Sequence, residues 1–116
     1  MVLGTFNPRG TIQMTPVWYM FDEAVFRFST TTDRVKHRNL SKDPRVTFVI
    51  YDNQNPYRYV QIRGKITDST KKGGHDFIDT LAKHYLEKDR YPFDLDRKLD
   101  RITYTITPKR SQTFGF

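Results

Sequence analysis

Apolar, β-type runs with short turns between them make up most of this sequence, and they constrain its fold more than any other feature. The turn signals are strong, because Asn7-Pro8-Arg9-Gly10 and Asp52-Asn53-Gln54-Asn55-Pro56 combine residues that favour tight turns. The runs predict about six strands, over residues 2–6, 11–21, 24–29, 46–51, 57–67 and 101–107, followed by a short terminal strand to residue 116.

Only one stretch has the periodicity of a long amphipathic helix. Between residues 75 and 88 the apolar side chains recur at spacings of three and four. A shorter, basic helix is predicted between an N-cap at Thr32 or Asp33 and the stop at Pro44. Strands that outnumber helices, with little alternation between the two, predict a mainly β fold: an antiparallel barrel with helical additions, formed by one domain over residues 1–116.

Two local features of the predicted strands refine this expectation. Pro16 lies in the middle of the second strand and cannot donate to a hydrogen-bond ladder, which predicts an edge position, a bulge or a bend around a ligand. Gly64, within the long strand 57–67, predicts a kink or a close backbone approach.

The charge balance restricts the partners of the protein. The 116 residues carry a formal net charge of +7, which favours anionic partners such as nucleotide cofactors, nucleic acid or acidic membranes. The absence of cysteine excludes disulfides and thiolate chemistry. No apolar run approaches the roughly 18 residues of a membrane helix, and the first residues lack a signal-peptide pattern, so we expect a cytoplasmic protein without a membrane partner.

The segment from Phe28 to Arg45 has the composition of an anion site. Hydroxyl residues lead directly into a stretch that holds five Lys or Arg side chains and one Asp between Arg34 and Arg45. Backbone N–H groups at a helix start, hydroxyls before it and cations beside it are suited to a phosphate. A solvent-exposed basic turn is the alternative interpretation.

No arrangement of catalytic side chains is visible. His37, His75 and His84 lack metal-ligand spacing, and the serines lack the glycines of a nucleophile elbow. If the protein is an enzyme, we therefore expect a bound cofactor to supply the chemistry.

Several short motifs, in one order along the chain, resemble the pyridoxamine 5′-phosphate oxidase-like split β-barrel superfamily. They are Thr15-Pro16-Val17-Trp18-Tyr19, then Arg34-Val35-Lys36-His37-Arg38-Asn39-Leu40 with Asp43-Pro44-Arg45-Val46, then Asn55-Pro56-Tyr57-Arg58-Tyr59-Val60 and Arg63-Gly64. Within the superfamily the sequence most resembles the deazaflavin (F420)-dependent oxidoreductases of actinobacterial type. Relatives usually carry a helix before the first strand, whereas this sequence opens in the strand itself.

The resemblance implies a homodimer with a cofactor groove between two barrels, and it implies roles for named residues. Ser29, Arg34, Lys36 and Asn39 would hold the phosphate of the cofactor. Tyr57 and Tyr59 would reach the groove from the partner subunit, and Arg110 would add a cation near the cofactor tail. The residues that would line the ring system are Met14, Thr15, Pro16, Val17 and Trp18. Trp18 could equally belong to the barrel core or the dimer interface, and Tyr57 could merely cap a strand.

The leading hypothesis is therefore an F420-dependent oxidoreductase that transfers hydride between the deazaflavin and a small organic substrate. An FMN-binding oxidase or reductase with the same fold is the first alternative. A non-catalytic cofactor-binding protein is the second, since acid–base residues are lacking. A nucleic-acid-binding barrel is disfavoured, because the cations cluster in one helix-turn and no aromatic RNA-binding motif is present.

Overall fold

The computed structural model describes residues 1–94 and 97–115, in which seven strands form one antiparallel sheet and two helices pack against it. The sheet has the order β2-β1-β5-β6-β7-β4-β3. The elements in chain order are β1 Val2–Phe6, β2 Ile12–Pro16, β3 Met20–Asp22, β4 Val25–Thr31, α1 Val35–Lys42, β5 Arg45–Asp52, β6 Asn55–Thr70, α2 Gly74–Leu86 and β7 Arg101–Phe114. The mainly β class with two helices is as predicted.

The sheet curls into a barrel, as an aromatic contact across its interior shows. The rings of Phe26 in β4 and Phe48 in β5 lie 4.9 Å apart between centroids. These strands are three places apart in the sheet, which would separate them by about 14 Å if the sheet were flat. The buried side chains of the core come from β1, β4, β5, β6 and β7 and from the one α1 residue Leu40.

The strand count differs from the prediction of about six. The predicted strand 11–21 is broken into β2 and β3, because residues 17–19 belong to neither strand. Pro16 ends an edge strand, which is one of the positions that its missing N–H predicts. The two predicted C-terminal strands are one long strand, β7, which passes through Pro108. The predicted end of the terminal strand, Phe116, lies outside the described residues.

The predicted N-cap of α1 is wrong by one or two positions. Arg34, in an extended conformation, precedes the helix and makes no side-chain cap hydrogen bond. Asp33 lies one residue before the cap position, and its carboxylate accepts a hydrogen bond from the hydroxyl of Thr31. The helix ends at Lys42, two residues before Pro44, as predicted.

Gly64 marks a close approach between β6 and β7. A Cβ atom at this position would lie 2.6 Å from the carbonyl oxygen of Thr107, so a larger residue would push the backbones apart. The register shifts at the same point, because Arg63 pairs with Arg110 whereas Gly64 pairs with Pro108. The bulge also accommodates Pro108, which has no N–H to donate.

Neither described helix has the length and apolar character needed to cross a membrane.

Candidate functional site

A groove of about 610 Å³ runs between one end of the barrel and α2. Strands β1, β2, β4, β5 and β7 contribute to it, together with the start of α1, helix α2 and the loops before β3 and after α2. Its lining residues are Met1, Val2, Thr15, Pro16, Val17, Trp18, Ser29, Thr30, Thr31, Arg34, Lys36, Tyr51, Ile78, Leu81, Tyr85, Tyr91, Phe93 and Arg101.

Two cations of the groove come from the start of α1. Arg34 precedes the helix and Lys36 lies in its first turn. Only 8% of Lys36 is exposed, and no carboxylate pairs with it among the described residues. Burial lowers the pKa of Lys36 below 10.5, and the neighbouring charge of Arg34 lowers it further. A buried amine without a counter-ion is suited to receive an anion from outside the chain.

Helix α1 is held in place by hydrogen bonds on its inner side. His37 Nδ1 lies 2.6 Å from the hydroxyl of Tyr104 in β7. The side-chain amide of Asn39 donates to Thr5 Oγ1 at 3.1 Å and to Asn7 Oδ1 at 2.9 Å. These contacts fix the orientation of the helix that presents Lys36 to the groove.

Arg101 is a third cation of the groove, and the sequence did not indicate it. It is buried at the first position of β7, where it donates from Nη1 to Ser29 Oγ at 3.1 Å. Its guanidinium lies over the ring of Tyr91, 4.6 Å from the centroid. In the sequence, Arg101 is the first residue of a predicted strand whose residues alternate between apolar and polar. The one available signal was an arginine on the threonine-bearing face of that strand.

The other part of the groove is aromatic. Trp18 stacks on Tyr85 of α2, with ring centroids 5.2 Å apart and 6° between the planes. Tyr91 meets the edge of Trp18 at 5.9 Å and that of Phe93 at 5.4 Å. The Tyr85 hydroxyl is within 3.2 Å of both the N–H and the carbonyl of Tyr19. Trp18 therefore forms a wall between the barrel and α2.

Asp79 of α2 holds the loop that carries Tyr91. Both of its carboxylate oxygens accept hydrogen bonds from Nη2 of Arg97, at 2.8 and 2.7 Å. The backbone N–H of Tyr91 donates to the same carboxylate at 2.8 Å. Partial burial raises the pKa of Asp79, but the hydrogen bonds from Tyr91 and Arg97 lower it by more, so the group stays ionised.

Seven of the twelve residues predicted for cofactor binding lie together in this groove. They are Thr15, Pro16, Val17, Trp18, Ser29, Arg34 and Lys36. The backbone N–H of Val17 is already used, because it donates to the carbonyl of Met1 at 2.9 Å. The predicted phosphate-binding segment and the predicted ring-lining segment are thus two walls of one groove.

The structure places the other five predicted residues outside the groove. Met14 lies on the opposite face of β2 from Thr15 and is 56% exposed. The side-chain amide of Asn39 donates to Thr5 and Asn7, and its predicted contact with the cofactor stays a prediction. Arg110 lines a second pocket on the outer face of the sheet.

Tyr57 and Tyr59 lie on the outer face of β6 in the same chain. Tyr57 is 76% exposed, and Tyr59 stacks on Phe114 with ring centroids 5.8 Å apart. Their predicted contact with a groove concerns a second subunit, so it stays a prediction.

Comparison with known proteins agrees with the fold. Residues 1–114 match the pyridoxamine 5′-phosphate oxidase family, and the chain therefore belongs to that family. It is similar to a solved F420 reductase, with 32% identity over 96% of this chain and 86% of that chain and a TM-score of 0.83. No curated protein is similar enough to this chain to count as a match.

More distant structures share the fold alone. A putative pyridoxamine 5′-phosphate oxidase from Listeria innocua is 12% identical over 97% of this chain and 85% of that chain, with a TM-score of 0.70. HutZ, a heme storage protein from Vibrio cholerae, is 12% identical over 99% of this chain and 85% of that chain, with a TM-score of 0.74.

The groove has the chemistry that a phosphate-bearing flavin or deazaflavin requires. Two of its buried polar atoms, Thr15 Oγ1 and Arg101 Nε, have no hydrogen-bond partner among the described residues. Buried polar groups are normally paired, so these two atoms are available to hydrogen-bond a ligand in the groove. Together with Lys36, they supply hydrogen-bond donors for an anionic molecule. The residues that line the groove therefore fit a flavin or deazaflavin that carries a phosphate.

Proposed function

We propose that this protein is an oxidoreductase that binds F420 in the groove and transfers hydride between the deazaflavin and a small organic substrate. Membership of the pyridoxamine 5′-phosphate oxidase family supports flavin or deazaflavin redox chemistry. The similarity to an F420 reductase over 96% of this chain supports the deazaflavin in particular.

The observation that carries this proposal is the cationic end of the groove. Lys36 is buried and pairs with no carboxylate of the described residues, and Arg34 and Arg101 line the same space. The cofactor phosphate would supply the missing negative charge, with Ser29 as a further hydrogen-bonding group. A hydrogen bond to a charged group contributes about 1.5–3 kcal/mol, so removing these cations should weaken cofactor binding strongly.

The remaining residues of the groove would position the ring system. Thr15 offers its unpaired hydroxyl, while Pro16, Val17 and Trp18 present an apolar surface that excludes water. When bound, the deazaflavin supplies hydride-transfer chemistry, and the protein orients it against the substrate. A proton, where the reaction needs one, would come from solvent or from a tyrosine of the groove.

A homodimer belongs to the proposal because an aromatic row continues from the groove over the outer sheet face. Tyr51 lines the groove and pairs with Tyr59, which in turn pairs with Phe114. Tyr51 is 45% exposed and Phe114 is 59% exposed, so the row leaves much apolar surface uncovered. A second copy packed on this row would bury it and bring Tyr57 and Tyr59 toward its groove.

FMN is the second candidate cofactor. The family match favours it, and its single phosphate needs only the cations that the groove already provides. In that case the same residues keep their positions, and only the ring chemistry and the redox partner differ.

A side-by-side fluorescence titration with F420 and FMN tests the proposal. We expect F420 to bind the wild-type protein more tightly than FMN, and Arg34→Ala/Lys36→Ala to weaken binding by at least about 100-fold. Arg38→Ala/Lys42→Ala is the matched control, since it removes the same charge from exposed positions around the same helix. This control should bind almost as the wild type does.

Each other outcome has a definite meaning. Tighter binding of FMN would replace the deazaflavin by the flavin, and binding without turnover of any screened substrate would favour a non-catalytic cofactor-binding protein. If neither cofactor binds, the proposal is wrong. A binding curve for nucleic acid with a steep salt dependence would then support the remaining hypothesis.

A further inference from the structure

Arg101 connects the cationic part of the groove to its aromatic part. It lies at the first position of β7, whereas Arg34 and Lys36 belong to the start of α1. The guanidinium of Arg101 lies over the ring of Tyr91, 4.6 Å from the centroid, and Tyr91 in turn contacts Trp18. A ligand group bound to Arg101 would therefore lie beside aromatic rings.

The hydrogen-bonding capacity of Arg101 is only partly used. Only 8% of the residue is exposed; Nη1 donates to Ser29 Oγ at 3.1 Å, and the buried Nε has no partner among the described residues. The pKa of Asp33 is lowered first by the hydrogen bond from Thr31 and in smaller part by the charge of Arg101, but Arg101 forms no ion pair with a described residue. This guanidinium can therefore bind an acidic group that enters the groove.

The surroundings of Arg101 are suited to a flat ring. Tyr91 meets the edge of Trp18 at 5.9 Å and that of Phe93 at 5.4 Å between ring centroids. Both Trp18 and Phe93 line the groove, and Phe93 is 74% exposed. Aromatic side chains pack best against other planar rings, in stacked or edge-to-face arrangements.

The cofactor phosphate does not account for all three cations of the groove. A phosphate group carries at most about two negative charges, which Arg34 and Lys36 can balance at the start of α1. The charge of Arg101 then remains for a second acidic group. A carboxylate matches it well, because the two planar groups can form parallel hydrogen bonds.

We propose that Arg101 binds the carboxylate of a substrate whose flat, conjugated ring packs against Trp18 and Phe93. Arg101 would thus be a specificity residue, which selects an aromatic acid over a neutral compound of the same shape. That this ligand is the substrate rests on the proposed redox function, whereas the binding site for an aromatic acid does not.

Isothermal titration calorimetry with cinnamate, and with cinnamamide as its neutral counterpart, tests the site. All proteins carry Arg34→Ala/Lys36→Ala, so that the cations of α1 do not bind the acid. We expect cinnamate to bind about tenfold more tightly than cinnamamide, or better. Adding Arg101→Gln should abolish this preference and leave the affinity for cinnamamide unchanged, because the rings remain in place.

Two further variants serve as controls. Arg27→Gln is matched to Arg101→Gln, because Arg27 is a half-buried arginine on the same face of β4 as Ser29 but does not line the groove. It should keep the preference for cinnamate. Trp18→Leu should weaken the binding of both probes to a similar extent, since both carry the ring.

Three results would overturn the proposal. The first is that cinnamate does not bind, or binds no better than cinnamamide. The second is an equal loss of both probes in Arg101→Gln, which would give Arg101 a structural role alone. The third is that Arg101→Gln, in the otherwise wild-type protein, weakens F420 or FMN as much as Arg34→Ala/Lys36→Ala does, which would assign Arg101 to the cofactor.

Failure of the proposed function is distinguishable from these results. If neither cofactor binds, the redox proposal is wrong, but the comparison of cinnamate with cinnamamide is unaffected because it uses no cofactor. A preference for cinnamate that depends on Arg101 would then define a binding site for aromatic acids without the redox reaction.

Discussion

Lys36 shows how a single buried residue couples ligand binding to pH. Below the lowered pKa of Lys36, the folded protein must keep a buried charge that no carboxylate of the described residues neutralises, which costs stability. As the pH rises from that pKa toward the unfolded value of 10.5, the folded state releases the proton and this cost disappears. A bound phosphate reverses the effect, because it favours the charged amine.

Cofactor affinity should therefore fall as the pH rises through the pKa of Lys36. In this window binding takes up one proton, so affinity should weaken by up to about tenfold per pH unit. Lys36→Arg should flatten the profile, because a guanidinium stays protonated throughout. Fluorescence titrations from neutral to alkaline pH measure the effect. Lys42→Arg, an exposed position on the same helix, is the control and should keep the wild-type profile.

An unchanged slope in Lys36→Arg would assign the pH dependence to another group of the groove. Lys36 would then not be the group that links cofactor binding to pH, although Arg34 and Arg101 would still line the groove.

Among the structural elements, the loop between α2 and β7 depends most on one contact. Asp79 binds both Arg97 and the backbone of Tyr91, and Tyr91 in turn contacts Trp18 and Arg101. A single carboxylate on α2 thus positions Tyr91 against both the aromatic ring of Trp18 and the guanidinium of Arg101. Since its pKa lies below 3.8, the contact is complete above that pH and is lost only as the pH falls further.

Asp79→Asn should detach this loop without unfolding the barrel. We expect a loss of about 1–3 kcal/mol in the free energy of unfolding, because the charge-assisted bonds to Arg97 disappear. Trp18 is the only tryptophan of the chain, so its fluorescence reports directly on the loss of Tyr91 from the groove. Asp76→Asn, exposed in the first turn of the same helix, should change neither quantity. Wild-type fluorescence in Asp79→Asn would contradict the positioning role.

For the whole molecule, the uncovered aromatic row on β5, β6 and β7 determines the expected assembly. The row lies on the outer face of the barrel, whereas the core is already filled from within. One member of the row, Tyr51, also lines the groove. Assembly and cofactor binding should therefore be linked through this surface.

Tyr59→Glu should convert the proposed dimer into a monomer. A charge at the centre of the row would be buried without a partner in the dimer, which is strongly unfavourable. Light scattering should give twice 13.8 kDa for the wild type and 13.8 kDa for the variant. Ser69→Glu, exposed near the far end of β6, is the control and should stay dimeric. A wild-type monomer at all concentrations would contradict the proposed assembly.

The sequence by itself determined the elements whose signals are local. The alternation of apolar residues located the strands, and the spacing of three and four located α2. Pro44 indicated the end of α1, and Gly64 indicated the close approach of β6 and β7. The cations of the groove at Arg34 and Lys36 were also recognisable, because hydroxyls, helix start and charge occur within a few consecutive residues.

Only the tertiary structure decided which distant residues share a site. Arg101 reaches Ser29 because β7 pairs with β4, a contact between residues 72 positions apart. Asn39 turns inward because Thr5 and Asn7 lie beneath it, and Arg110 faces Arg63 because β6 and β7 pair in one particular register. Periodicity predicts which face of an element a side chain occupies, but strand order and register determine what that side chain meets.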